Sequence, residues 1–422
     1  MNSREEEIRK TQEIIINDNI IDTAVAESEL HEKTKKTRKR NLIGIVIVII
    51  NVILVIVLGF TTFNKDTSGE SVATFGTTFK LWMSKENILF WFIALGLGIL
   101  ALFAEAMKFF VMIRTTTHKN KFGLSLKAAI MGKYYDNITP LGSGGQPFQI
   151  FYLSKGGVPS AEAMYLPTAS FFLNQFAFLI LCVVSLIFFS NSKLIANSSF
   201  STTFLILAYL GAAFSILLPT LIFIVSFMPR LRAKIIKISV RISYKFKFVK
   251  NKGAATRKAN KLVNDYKRSL FLLAKSKGTL LIISFLSFVY QISICSIPYF
   301  VIRACGVPAD NVNYFEIVCV CAMVYAAISF IPTPGNSGAA EGISFTIIFS
   351  AVNGFASQYW TMAFWRFCCY FLWIIIGIGF VIGGMIKTNT KRKKELKVEK
   401  EKLEAKKASL EWCFSSANLY KY

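Results

Sequence analysis

Two short stretches set helix-breaking residues beside polar ones inside apolar sequence. The first is Thr139-Pro140-Leu141-Gly142-Ser143-Gly144-Gly145-Gln146 and the second is Thr333-Pro334-Gly335-Asn336-Ser337-Gly338-Ala339-Ala340-Glu341. Both share Thr-Pro-x-x-Ser-Gly followed by small residues, and a long polar side chain, Gln146 or Glu341, closes each. Proline and glycine interrupt the helical ladder and strand backbone amides and carbonyls. Hydrocarbon cannot satisfy those groups, whereas a protein-lined, partly wet cavity can. Helices restarting after such breaks aim amide N–H groups and a positive dipole end at the cavity, and a phosphate suits such a place. Corresponding breaks in two halves of a chain are the pattern of a transport site.

Ionisable side chains within apolar spans are costly and mark functional positions or partners. Glu341 adjoins the second break, and Arg366, about eight residues into the last apolar run, is its natural counter-charge. A guanidinium also matches a lipid phosphate bidentately; a structural ion pair locking two helices is the competing role. Asn137 and Gln146 frame the first break. The expected site is therefore substrate-binding and lies where the two broken tips meet, lined by Asn137, Thr139, Ser143, Gln146, Thr333, Asn336, Ser337, Glu341 and Arg366. Glu105 and Lys108, three apart, share a helix face near its end, where a snorkelling lysine with a local pair is an equal reading. Asn174 and Gln175 lie mid-span and read equally as headgroup ligands or interhelical hydrogen bonds; Gln291 reads as the latter.

The elements that must position these residues follow from composition. Hydrophobic residues make up 54% and charged residues 17% of the 422 residues, and the mean hydropathy is +0.49, which places the chain in the membrane class. Apolar runs of spanning length cover roughly residues 42–63, 87–113, 160–189, 202–228, 278–303 and 358–386. Two further apolar regions, about 124–157 and 313–353, hold the breaks. The expected fold is an all-α polytopic membrane protein with about six full spans and two re-entrant, broken-helix hairpins in an inverted repeat. Forty polar residues precede the first run, which reads as an anchor and not a leader. Six of the eight cysteines lie in predicted spans, with no disulfide framework and no metal-ligand spacing.

The net charge of +25 is concentrated in a few segments. Lys33, Lys35, Lys36, Arg38, Lys39 and Arg40 flank the first span, Arg114, Lys119, Lys121 and Lys127 follow the second, and Lys391 to Lys394 follow the last. The segment 229–277 is dense in lysine and arginine, whereas 64–86 and 190–201 are poor in them. The positive-inside rule then puts both termini in the cytoplasm. The first break enters from the cytoplasmic face and the second from outside, so the motifs, offset by 194 residues from Thr139 to Thr333, form an inverted pair.

The segments Ile138–Gln149 and Ile331–Glu341 resemble signatures of the flippase-like membrane domain of the bacterial lysylphosphatidylglycerol synthase/flippase, the multiple peptide resistance factor. The resemblance covers roughly residues 42–388, and the stretch from Pro332 to Glu341 is its more specific part. It implies a bacterial plasma-membrane protein that moves a lipid such as aminoacyl-phosphatidylglycerol between leaflets. In full-length members a soluble domain makes the lysyl lipid. Here a short charged tail follows the last span, so the resemblance implies a stand-alone membrane member, with a separate synthase or glycosyltransferase as a partner.

Three domains are expected: a charged tail over 1–41, the membrane domain over 42–388, and a charged tail over 389–422. Within the second, Arg230, Lys234, Lys237, Arg241 and Lys245 oppose Leu231, Ile235, Ile238, Ile242 and Phe246, an amphipathic pattern for an anionic leaflet. Positive-inside bias accounts for the charge, so nucleic acid is not an expected partner; a membrane phospholipid is. Neither the phosphate loop G-x-x-x-x-G-K-[ST] nor a dinucleotide fingerprint occurs, so no cofactor is expected. His31 and His118 both lie in polar segments, leaving no Ser-His or Cys-His pair for the membrane core. Three classes remain open: a lipid flippase, a Glu341-centred transferase on a lipid-linked donor, and a scaffold for a separately encoded synthase.

Overall fold

The computed structural model describes residues 75–140, 142, 144–196, 198, 200–228, 276–352 and 357–419, with isolated positions between 233 and 260. The first expected span, the expected charged tail over 1–41 and most of the basic segment lie outside the described residues. The chain divides into two compact units, residues 54–377 and residues 1–53 with 378–422. The larger one holds both breaks.

Among the described residues there is helix and no β-strand. α1 covers Phe75–Trp82, α2 Ile88–Thr117, α3 Phe122–Ile138, α4 Gly145–Lys155, α5 Ser160–Phe189, α6 Ser201–Phe227, α7 Lys277–Ala304 and α8 Tyr314–Ile328. α9, Ala339–Ser344, runs into a π turn at Phe345–Phe349. α10, Gln358–Arg366, passes through a second π turn at Phe367–Phe371 into α11, Leu372–Leu419. α2, α5, α7 and the helical run from Gln358 are long and apolar enough to cross a membrane; the described part of α6 and the helices α8 and α9 are shorter apolar pieces. This is an all-α polytopic membrane protein.

Lipid offers the backbone no hydrogen bonds, so each segment closes its own ladder and uses local devices at its ends. The Asn313 side chain accepts from the amides of Phe315 and Glu316 to start α8 at 2.9 and 3.3 Å. His118 ends α2 in the left-handed region, its N–H returning to Arg114 O. Between helices, small residues set the spacing. A Cβ on Gly211 of α6 would collide with the Ala326 carbonyl of α8, and one on Gly98 of α2 would lie 2.9 Å from the Cys368 carbonyl. Such close backbone approach is how membrane helices gain packing energy, because lipid tails are as apolar as the side chains they would replace.

α7 lies along α2, α3 packs on α2 and on α4, and α8 contacts α5, α6 and α7. The core they enclose is aliphatic, cysteine and aromatic, with Tyr134, Tyr165, Tyr370, Phe109 and Trp365 fully buried or nearly so. The described cysteines, Cys182, Cys295, Cys305, Cys319, Cys321, Cys368 and Cys369, are free thiols.

Candidate functional site

α3 ends at Ile138 and α4 begins at Gly145, so the first break is the six residues between them. Thr139 closes it: its hydroxyl donates to Tyr135 O at 2.7 Å and accepts from Gly144 N at 2.9 Å. The Asp136 carboxylate accepts from Gly145 N at 2.8 Å. In the second break Gly335, Asn336 and Gly338 have positive φ, +57°, +55° and +87°. Thr333 donates to Ser337 O at 3.0 Å, and Glu341 Oε2 accepts from Gly338 N at 2.6 Å. At both restarts an amide N–H expected to face a phosphate is thus bonded to a carboxylate of the chain itself. Glu341 reaches the amide from within its own first turn, whereas Asp136 reaches Gly145 N across the break from the last turn of α3; the helix dipole favours a carboxylate at both places.

The two breaks meet. Pro140 and Pro334 form an isolated antiparallel bridge. Beside it, Asn137 Nδ2 donates to Tyr370 O at 3.4 Å, and the Tyr370 hydroxyl donates to Asn137 O at 3.1 Å. Arg366 is 3% exposed and is held from three sides. Its Nε donates to Glu341 Oε1 at 2.7 Å, and its Nη2 donates to Gly335 O at 3.0 Å and Ser337 Oγ at 3.3 Å. Its guanidinium also lies 4.3 Å from the centre of the Tyr370 ring. Glu341, 8% exposed, therefore bonds α9's own start with one oxygen and α10's arginine with the other.

A cavity of about 210 Å³ opens at this junction. That is room for about seven waters at the roughly 30 Å³ each occupies in the liquid. Of the expected site residues, Asn137, Asn336 and Arg366 line it. Thr139, Thr333, Ser337 and Glu341 instead hold the two breaks in shape from outside the lining, and Gln146 sits half-buried in the first turn of α4. Ser143 lies outside the described residues. The lining adds residues that motif reading missed: Lys133 and Asp136 of α3, Tyr290 of α7, Tyr325 and Ser329 of α8 and its end, and Cys369 and Trp373 around the second π turn. Their signal was present, since Lys133 and Asp136 are ionisable residues one helical turn apart just before a Thr-Pro break.

Lys133 makes no ion pair within the described residues; its Nζ lies 4.6 Å from the centre of the Tyr290 ring and 5.9 Å from that of Trp373. The Ser329 hydroxyl and the Trp373 indole N–H are buried with no hydrogen-bond partner among the described residues, and both residues line the cavity. Behind Tyr290 sits a second polar cluster. Lys108, fully buried, pairs with Glu105 Oε2 at 2.6 Å and donates to Asn174 at 2.5 Å. Ser170 and Asn174 also donate to Glu105, at 2.9 and 3.1 Å. Lys108 does not snorkel; its partners hold it inside. Gln291 donates to Asn174 O at 3.2 Å and joins α7 to α5, as interhelical hydrogen bonding predicts.

Residues 41–377 match the lysylphosphatidylglycerol synthase TM region family. The chain belongs to that family. The match takes in both breaks, the cavity and the polar cluster behind it, and it ends within the first turns of α11. No curated protein matches the chain. As a member of this family, the chain is a multi-pass membrane protein of the lysylphosphatidylglycerol synthase TM type.

Proposed function

We propose that this protein moves a phosphate-bearing membrane lipid, aminoacyl-phosphatidylglycerol or a relative, between leaflets. In this reading the headgroup passes through the cavity at the Pro140–Pro334 junction while the acyl chains stay in the bilayer. The observation that carries it is the composition of that cavity. Among the described residues Lys133 is a cation without an ion-pair partner, and Arg366, another lining residue, is fixed by Glu341 and Gly335. The Trp373 and Ser329 donors have no acceptor among the described residues. Four donor side chains at the meeting point of two broken helices are a ready reception for phosphate oxygens. A cavity of about 210 Å³ is on the scale of a phosphate headgroup, and the acyl chains have the bilayer to occupy.

Membrane placement follows the charge pattern: both termini in the cytoplasm of a bacterial plasma membrane, the two breaks entering from opposite faces as an inverted repeat. Cysteine-accessibility mapping tests it, and labelling 190–201 and 229–277 from the same side would reject it.

The function is tested in proteoliposomes carrying fluorescent phosphatidylglycerol, its lysyl ester or a polyprenyl phosphate. Wild-type protein exchanges at least one of the three across the bilayer, and Lys133→Gln slows that exchange by about tenfold or more, the worth of one charge-assisted hydrogen bond. Folded wild-type protein that exchanges none of the three rejects the reading.

A further inference from the structure

Six ionisable side chains gather in and around the cavity, and their formal charges cancel. Glu105 is paired with Lys108, and Glu341 with Arg366. Lys133 and Asp136 complete the set, and both line the cavity. Among the lining residues Asp136 is the carboxylate, because Glu341 lies behind Arg366 and Glu105 behind Tyr290. Glu105, Lys108, Glu341 and Arg366 are buried and Lys133 and Asp136 half-buried against the cavity, and an uncompensated charge in such surroundings is expensive. The set is balanced on its own. A lipid whose headgroup charge is that of its phosphate, such as phosphatidylglycerol or a polyprenyl phosphate, brings a negative charge that the site as it stands does not offset, whereas the ammonium groups of a lysyl ester already offset theirs.

Resting on the transport reading above, we propose that Asp136 takes up one proton as the headgroup enters, so that an anionic lipid and a proton cross together without net charge. The geometry makes Asp136 the place for that proton. One carboxylate oxygen accepts from Gly145 N at 2.8 Å, and among the described residues no side-chain donor is hydrogen-bonded to the carboxylate. A protonated Asp136 keeps this bond through its carbonyl oxygen and turns its O–H toward the cavity, where a phosphate oxygen can accept it. The carboxylate–amide bond at the start of α4 is thereby kept through the cycle.

The groups around Asp136 support this and are named by element. On α3 itself Lys133 is the charge that acts on it most strongly, and it stays positive to meet the phosphate. From α2, Glu105 adds a weaker repulsion, muted by its pairing with Lys108. From α7 the Tyr290 ring carries Lys133. α4 presents the Gly145 amide, and its Tyr152 faces Tyr135. Across the cavity the second π turn and the end of α10 offer Cys369, Tyr370 and Arg366, the last already joined to Glu341. Of these groups, Asp136 is the acid that a phosphate in the cavity meets directly. The proton comes from water at one mouth of the site and returns to water at the other.

The experiment uses full-length protein in liposomes with each of the three probe lipids and protein-free liposomes as controls. It compares equal pH, a one-unit pH difference, and a potassium–valinomycin potential. Coupled, electroneutral movement predicts that the pH difference drives an anionic probe toward the more basic leaflet, up to about tenfold at steady state. The membrane potential leaves the distribution unchanged. Asp136→Asn keeps an acceptor for Gly145 N–H but cannot gain a proton, so its distribution no longer follows the pH difference. Wild-type exchange that ignores the pH difference, or that follows the potential, overturns proton coupling and leaves the transport reading standing. No exchange of any probe under any condition removes both. The wild-type arms decide the question even if the variant fails to fold.

Discussion

At the level of single residues the site is an exercise in holding charge inside an apolar protein. Arg366 has three acceptors within hydrogen-bond reach, and only one of them is charged. Removing that one, by Glu341→Gln, leaves a buried cation without its counter-ion. Losing one partner of a buried pair costs about 3–5 kcal/mol, so the variant is expected to lower the melting temperature in detergent and abolish exchange. Arg366→Lys tests geometry separately from charge. A lysine is a single point donor and cannot serve Glu341, Gly335 and Ser337 together, so exchange should drop while the protein still folds, read by size-exclusion profile and transport on one sample. The Glu341–Arg366 pair was legible in the sequence because each is a lone charge in an otherwise apolar run. Lys133 and Asp136 carried a signal of their own, a helical turn apart before the Thr-Pro break, but they lie on the stem of the break and outside the repeated motif that singled out the other residues. The role of Asp136 and Glu341 at the helix starts was also hidden, since a motif shows the exposed amides but not which side chain returns to them.

At the level of elements, helix ends and helix spacing are the vulnerable points. Thr139 ties the last turn of α3 to Gly144 through one hydroxyl. Thr139→Val keeps the shape and removes both bonds, and an unsatisfied buried donor costs about 1–3 kcal/mol; a matching loss of thermal stability is expected. Gly211 is where α6 and α8 touch backbone to backbone, so Gly211→Leu must push the helices apart, and it should yield little folded protein by fluorescence-detected chromatography. Five of the six apolar runs read from the sequence fall on described helices, 87–113 on α2, 160–189 on α5, 202–228 on α6, 278–303 on α7 and 358–386 on α10 and α11. Hydropathy finds them because a span must be apolar along its whole length. The two π turns gave no such signal: an extra residue in a helical turn alters no composition, only which side chains point inward. Here the second turn follows Arg366 and brings Cys369 and Tyr370 to the cavity.

At the level of the whole molecule, the junction of Pro140 with Pro334 joins two segments 194 residues apart in the chain. Facing residues of an antiparallel pair have Cα atoms about 4.5–5.5 Å apart, inside the range of about 4.4–6.8 Å that a disulfide spans. A Pro140→Cys/Pro334→Cys pair should therefore close on mild oxidation. If the headgroup passes by parting the two breaks, oxidation stops exchange and reduction restores it; undiminished exchange in the oxidised protein would place the route elsewhere. The bridge also separates two kinds of specification. It is a joint of main-chain atoms, whereas the cavity beside it is walled largely by residues with large side chains, Tyr290, Tyr325 and Trp373 among them. On the proposed transport reading, joint and chamber can then change independently: such a protein is free to re-tailor its cargo by repainting the chamber wall, without re-cutting the door.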